Sequence, residues 1–236
     1  MRSDFIGDCS KFEGLAEAIN TGEYLIPRLT WDQYKGVIEG PIRVGQAQIA
    51  PRLLQRLLND VRQGRDQLPC LQHALMRTWE IWSGSDRSQP LDLEHYERAG
   101  KTSHALSLHA DEIFDGLASD RQRKICESLF KALTVRESAQ RGVRRPQSLQ
   151  RLCEIIGVDS SELEPVIDAF RRHGVTFLMP AADVKLKENT VIDISHESLM
   201  RVWERLRNWV EQEAESVSIF HRLAESASLH QQGNVG

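Results

Sequence analysis

The chain has 236 residues, 40% of them hydrophobic, with 30 lysines and arginines against 34 aspartates and glutamates and a net charge of −4. This is material for one large or two to three small domains; it excludes a disordered tail, and it excludes a strongly basic surface with nucleic acid or an anionic membrane as default partner. No apolar run approaches the roughly 20 residues of a membrane span and the amino terminus has no signal-peptide core, so a cytoplasmic protein without a membrane partner is expected.

Met1-Arg2-Ser3-Asp4-Phe5 reads as the end of a strand or the loop after it, so the sequence is expected to begin in mid-fold. Ser10 and Glu13 have the capping-box pattern for a short helix with Phe12, Leu15, Ala16 and Ile19 on one face and Gly22 as its stop. An extended piece from Tyr24 to Leu29 follows. Thr30 and Gln33 repeat the capping pattern for a helix expected to end at Gly40-Pro41, because proline lacks the N–H that would continue it. From Gln48 to Val61 a stripe of Ile49, Leu53, Leu54, Leu57, Leu58 and Val61 predicts a helix. Another is predicted to start at Pro69, a residue suited to a first helical turn, and to carry Leu71, Ala74, Leu75, Thr78, Trp79 and Trp82. After a loop from Gly84 to Pro90, helical periods cover Leu91 to Ala99 and Leu106 to Leu117, so residues 41–117 read as an all-helical bundle.

The remainder predicts three helices, two strands and one long helix. Ser119 caps a helix with Ile125, Leu129, Phe130 and Leu133 inward; Pro146 begins one with Leu149, Leu152 and Ile156; Asp159 begins a third with Leu163, Val166, Ile167 and Phe170. Gly174 stops that helix. Val175 to Met179 and Val191 to Ile194 then form a hairpin around a polar loop from Pro180 to Thr190, which is the element order of a winged helix. Leu199, Val202, Trp203, Leu206, Trp209 and Val210 recur at helical spacing and predict one continuous closing helix with both tryptophans in the core. Gln231 to Gly236 read as a frayed end or a linker.

Spacing excludes several chemistries. His196-Glu197 is followed by Met200 where a zinc-protease motif needs its second histidine, and Ser195, His196 and Glu197 are consecutive, so they cannot converge as a triad. His104 and His109 are five apart, a poor chelating interval on a helix, and read as solvated or partly buried. Cys9, Cys70, Cys126 and Cys153 are far apart and read as reduced thiols, so no metal site is expected. No GxxxxGK[ST] occurs, so the chain alone is expected to hold no cofactor and to hydrolyse no ATP. Arg141, Arg144, Arg145 and Arg151, with Lys185 and Lys187 in the wing, would suit DNA, but Asp159, Glu162, Glu164 and Asp168 crowd the candidate recognition helix ahead of Arg171 and would repel a phosphate backbone.

Three short motifs remain: Arg2 in MRSDF, Pro69 in QLPCLQHALMRTW, and His196 in ISHESL at a strand-to-helix junction. Their order and spacing resemble the second half of a bacterial STAND NTPase, a signal-transduction relative of the NACHT and NB-ARC switches; LQHAL and the Trp79 and Trp82 helix resemble the subgroup often found upstream of WD-repeat propellers. The resemblance covers nearly the whole chain. It implies that Arg2 follows sensor 1 and reaches the terminal phosphate, that Pro69 packs beside the base, and that His196 holds the β-phosphate of ADP, as the MHD-type histidine does. Glu197 stands where the better-known motif has aspartate, and Ser195 where it has methionine. A surface arginine, a helix-start proline and a histidine that caps its own helix account for the same residues without a ligand. Helix amino-terminal N–H groups beside His196 would favour an anion. A hydrogen bond to phosphate contributes about 1.5–3 kcal/mol, whereas turning a two-state population from 1:99 to 99:1 takes about 5.5, so one histidine biases such a switch without setting it.

The resemblance implies a mainly α fold: a remnant of the NTPase core at 1–40, a helical domain at 41–117, a winged-helix domain with a hairpin wing at 118–212, and a helical extension at 213–236 towards a sensor. An intact relative would hold ADP or ATP with Mg, hydrolyse ATP slowly, and open to recruit an effector or to form a homo-oligomer. Its missing NTPase core and carboxy-terminal repeat sensor would be this chain's partners. The alternatives are a free-standing winged-helix transcription regulator and a protein-binding adaptor.

Overall fold

The structure is a computed structural model that describes residues 9–22, 24, 27, 29–61, 67–138, 141–215 and 219. The chain is mainly helical with small sheets and divides into two compact units, Met1–Val37 and Ile38–Gly236.

In the first unit, helix α1 spans Leu15–Gly22 and buries none of its residues. The helix expected from Ser10 begins five residues late, because Phe12 N donates to Cys9 O and Leu15 N to Phe12 O in successive turns and Gly14 takes φ +76°. The piece expected from Tyr24 to Leu29 falls largely outside the described residues. The second capping box forms: Thr30 N donates to Gln33 Oε1 at 2.8 Å and Gln33 N to Thr30 Oγ1 at 3.4 Å. It opens α2, Trp31–Val44, which does not stop at Gly40-Pro41 but runs four residues further, and the unit boundary falls inside it. An interior proline costs about 3 kcal/mol, whereas burying Ile38 and Ile42, one turn apart, returns about 1.5–3 kcal/mol each.

The second unit holds two bodies of buried side chains that meet along one helix. Ile49 forms a parallel bridge with Leu91, so α3 starts at Pro51 and runs to Val61, burying Leu53, Leu57, Leu58 and Val61. Helix α4 spans Gln67–Ser83 and α5 spans Leu93–Arg98, where the Asp92 carboxylate accepts from Leu93 N and His95 Nδ1 from Asp92 N. Gly100, at φ +90°, turns the chain into α6, Lys101–Asp115. This helix faces α4 on one side, and on the other it gives Leu106, Ala110, Ile113 and Phe114 to the core built by everything that follows.

Ser119 caps α7, Asp120–Ala132, through Gln122 N as expected. A hairpin the sequence did not announce comes next, β1 Thr134–Ser138 and β2 Arg141–Arg144, followed by β3 Gln147–Ser148. Ser148 rather than Pro146 opens α8, Leu149–Ile156, its Oγ accepting from Arg151 N. Helix α9, Ser160–Arg171, buries Leu163, Val166, Ile167 and Phe170 as read from the sequence. Strand is confined to β4 Leu178–Met179 and β5 Val191–Ile194, in an antiparallel sheet of order β3-β5-β4, because Thr176 at φ +47° breaks the piece before β4.

The closing helix is two helices. α10 spans Ser198–Val202, Trp203 is extended at ψ 104°, and α11 covers residues 204–215. Contacts from α6 explain the break: Trp203 Nε1 and Arg205 Nε donate to Asp111 Oδ1 at 2.9 and 2.7 Å, and Glu204 N donates to Ser107 Oγ at 3.3 Å. The indole of Trp203 is fully buried against Phe130 and Phe170, with ring centroids at 5.0 and 5.8 Å.

Candidate functional site

Arg2 lies outside the described residues. Pro69 is the third residue of α4 and half-buried; its absent N–H costs nothing there, since the first four helix N–H groups have no intrahelical partner. His73 follows one turn later. Its Nε2 lies 3.2 Å from Nδ1 of His109 on α6, and both imidazoles pack on Phe177, with ring centroids 5.3 Å away in each case. Burial, with Arg77 adding to it, lowers His73 to about 4; burial, Arg77, His73 and Arg172 lower His109 to about 3. At neutral pH both are therefore uncharged, and one ring N–H donates to the other's lone pair.

Phe177 also reaches the second motif. Its N–H donates to Phe170 O at the end of α9, and its carbonyl accepts from Ser195 N at 3.0 Å, the residue before His196. Pro69 and His196, 127 positions apart in sequence, are joined by one chain of contacts through His73, Phe177 and Ser195.

His196 is half-buried, and its Nδ1 accepts from Ser198 N at 3.1 Å, with Ser198 Oγ 2.6 Å from the same nitrogen. That acceptor role puts the hydrogen of a neutral ring on Nε2. It also overturns one expectation, because α10 has only five residues and its leading N–H is taken by the histidine itself rather than offered to an anion. Three residues earlier, Asp193 Oδ2 accepts from Arg144 at 2.7 Å, while its buried Oδ1 has no hydrogen-bond partner among the described residues.

Three of the basic residues weighed for DNA have local duties. Arg171, 5% exposed, donates to Asp168 and to the carbonyls of Ala181 and Val184, pinning the loop between β4 and β5. Arg144 holds Asp193 and Ile194 O, and Arg151 holds Glu154. Gly100-Lys101-Thr102 has the last three residues of a phosphate-loop pattern with His95 in place of its first glycine, a partial match the sequence reading passed over. Its chemistry is structural: Thr102 N donates to Tyr96 Oη at 2.9 Å, and Lys101 sits 3.5 Å from Glu97. No cluster of three or more potential metal ligands occurs among the described residues. From the sequence His109 reads as solvated or partly buried, but its meeting with His73 and Phe177 is not legible, because it joins positions 36 and 68 residues apart; the one available signal is His73 on the Pro69 face of α4.

Fold and site together define a mainly helical scaffold that ties one helix start to one strand-to-helix junction through a buried aromatic cluster. The profile of the Novel STAND NTPase 1 family matches residues 1–235, and the chain belongs to that family. No curated protein and no solved structure matches it.

Proposed function

We propose that this chain is the regulatory helical and winged-helix portion of a STAND-type signal-transduction NTPase: it helps to hold nucleotide and couples a sensor's input to opening or assembly. The observation that carries the reading is the contact path from the Pro69 helix to the His196 junction, because two motifs meant to face one nucleotide must be held at fixed separation. The order α7, β3, α8, α9, β4, β5, with β5 central, supports a winged-helix domain. In this reading residues 1–40 belong to the NTPase core, 41–117 to the helical domain, 118–212 to the winged helix and 213–236 to the link towards a repeat sensor. ATP or ADP with Mg binds where that core supplies its phosphate loop, Arg2 and His196 meet phosphates, and Pro69 meets the base. An effector or a second copy of the protein is the partner of the open state.

Phosphate affinity in such proteins comes largely from backbone N–H groups and a lysine of a loop this sequence does not contain. Calorimetric titration of the 236-residue chain with ADP or ATP is expected to give a dissociation constant weaker than about 10 µM and no turnover above buffer. Tighter binding, or hydrolysis, would show that the chain carries its own nucleotide site. DNA has no part in this reading, which the exposed acids of α9 and the inward-turned Arg171 support. A mobility-shift selection from random duplexes at physiological salt is expected to return no motif; recovery of one, lost in Arg172→Ala, would replace the reading with that of a transcription regulator.

A further inference from the structure

We infer that His73 and His109 are positioning residues: a polar latch that fixes the Pro69 helix against Phe177 and so sets the geometry of the His196 junction. The inference rests on the proposed nucleotide-facing role of Pro69 and His196, but it concerns contacts internal to this chain.

Packing alone does not explain the pair. An α4–α6 contact that needed only apolar area would take leucine or phenylalanine, whereas here His109 is buried and His73 half-buried, and the nitrogens they turn towards each other cost stability unless each satisfies the other. What the pair adds is direction. An N···N contact of 3.2 Å, directional where an apolar contact is not, narrows the rotation of α4 about its axis and the ring orientation against Phe177. Phe177 transmits that setting in both directions, through Phe170 O to the end of α9 and through Ser195 N to the residue before His196. One turn from the latch on α4 is Pro69 and one residue beyond Ser195 is His196, so releasing the latch frees both motifs together.

The surroundings make the latch dependent on charge. From α4, Arg77 faces the pair and is itself held by Glu80 and by Glu112 of α6; from the end of α9 comes Arg172, and the exposed His173 lies on the same turn. Two protonated imidazoles beside two guanidinium groups would have only donors to present to one another, so charging the pair opens it.

The test uses imidazole ¹H–¹⁵N NMR of the full chain without nucleotide, reading the ring nitrogens of His196 and the amide of Ser195, with the buried indole of Trp203 as fold control. His73→Leu and His109→Leu keep volume and remove the latch; they are expected to shift both reporters while Trp203 stays in place. His73→Gln and His109→Asn restore a group at the position of the lost Nε2 or Nδ1 and are expected to return the reporters to their wild-type positions. Reporters unmoved in folded leucine variants would overturn the latch. Should those variants fail to fold, acid titration of the wild type decides: the inference requires the Ser195 amide to move with the His73 and His109 rings before the Trp203 signal changes, and it fails if Ser195 moves only with Trp203. Tight nucleotide binding by the chain, or its absence, bears on the proposed function and leaves these readouts untouched.

Discussion

In the proposed reading His196 serves both the fold and a phosphate, and its two ring nitrogens divide the tasks. Nδ1 caps Ser198, whose amide and hydroxyl are fully buried, while Nε2 carries the hydrogen that a phosphate would need. His196→Ala leaves the Ser198 N–H without its acceptor, so a loss of about 1–2 kcal/mol is expected, read as a lower urea midpoint. His196→Asn keeps an acceptor near the Nδ1 position and removes Nε2, so most of that stability should return. In a reconstituted intact protein the same asparagine variant should still speed ADP release if Nε2 holds the phosphate. An unchanged off-rate would reduce His196 to a cap. The junction itself was legible, since Val191, Ile192 and Ile194 announce the strand and the apolar period announces the helix. Which nitrogen is occupied was not legible, because that depends on the rotamer of one ring.

Among the elements, the sequence was most readable where apolar period and cap agreed. Helices α7 and α9 lie where Ser119, Asp159 and their apolar residues put them, with all eight predicted core side chains buried. It misled where tertiary contacts overrode a local signal: Pro41 sits inside α2 because Ile38 and Ile42 are buried around it, and the stripe through Trp203 is periodic although the helix breaks there. The β1–β2 hairpin was unreadable for another reason, since its residues Thr134 to Ser138 are mostly polar and give no alternating apolar face. The break at Trp203 makes a specific prediction. Asp111→Ala strips the acceptor from a buried indole N–H and should cost about 2 kcal/mol. Asp111→Asn keeps that acceptor and loses only the partly exposed pair with Arg205, so it should cost about 0.5 kcal/mol. Equal losses in urea denaturation would mean that the ion pair, not the indole, holds the break.

At the scale of the whole molecule, the paired imidazoles of His73 and His109 tie folding stability to pH. Both have an ordinary value of 6.5 that is recovered on unfolding, against about 4 for His73 and about 3 for His109 in the fold. Between those limits the unfolded chain binds more protons than the folded one, so stability falls as the pH falls. The contribution is intact above about 6.5, erodes on the way down, and is lost once the pH passes through the folded values. Asp92, held below the usual carboxylate range by its hydrogen bond from Arg52, loses its contribution only as the pH falls below the ordinary carboxylate value of about 4. Urea midpoints measured from pH 7 to pH 4.5 should therefore decline for the wild type, and the decline should be markedly shallower in the double variant His73→Gln, His109→Asn, which titrates at neither position. If the two proteins decline in parallel, the acid sensitivity belongs to other groups and the pair is charged or exposed in solution.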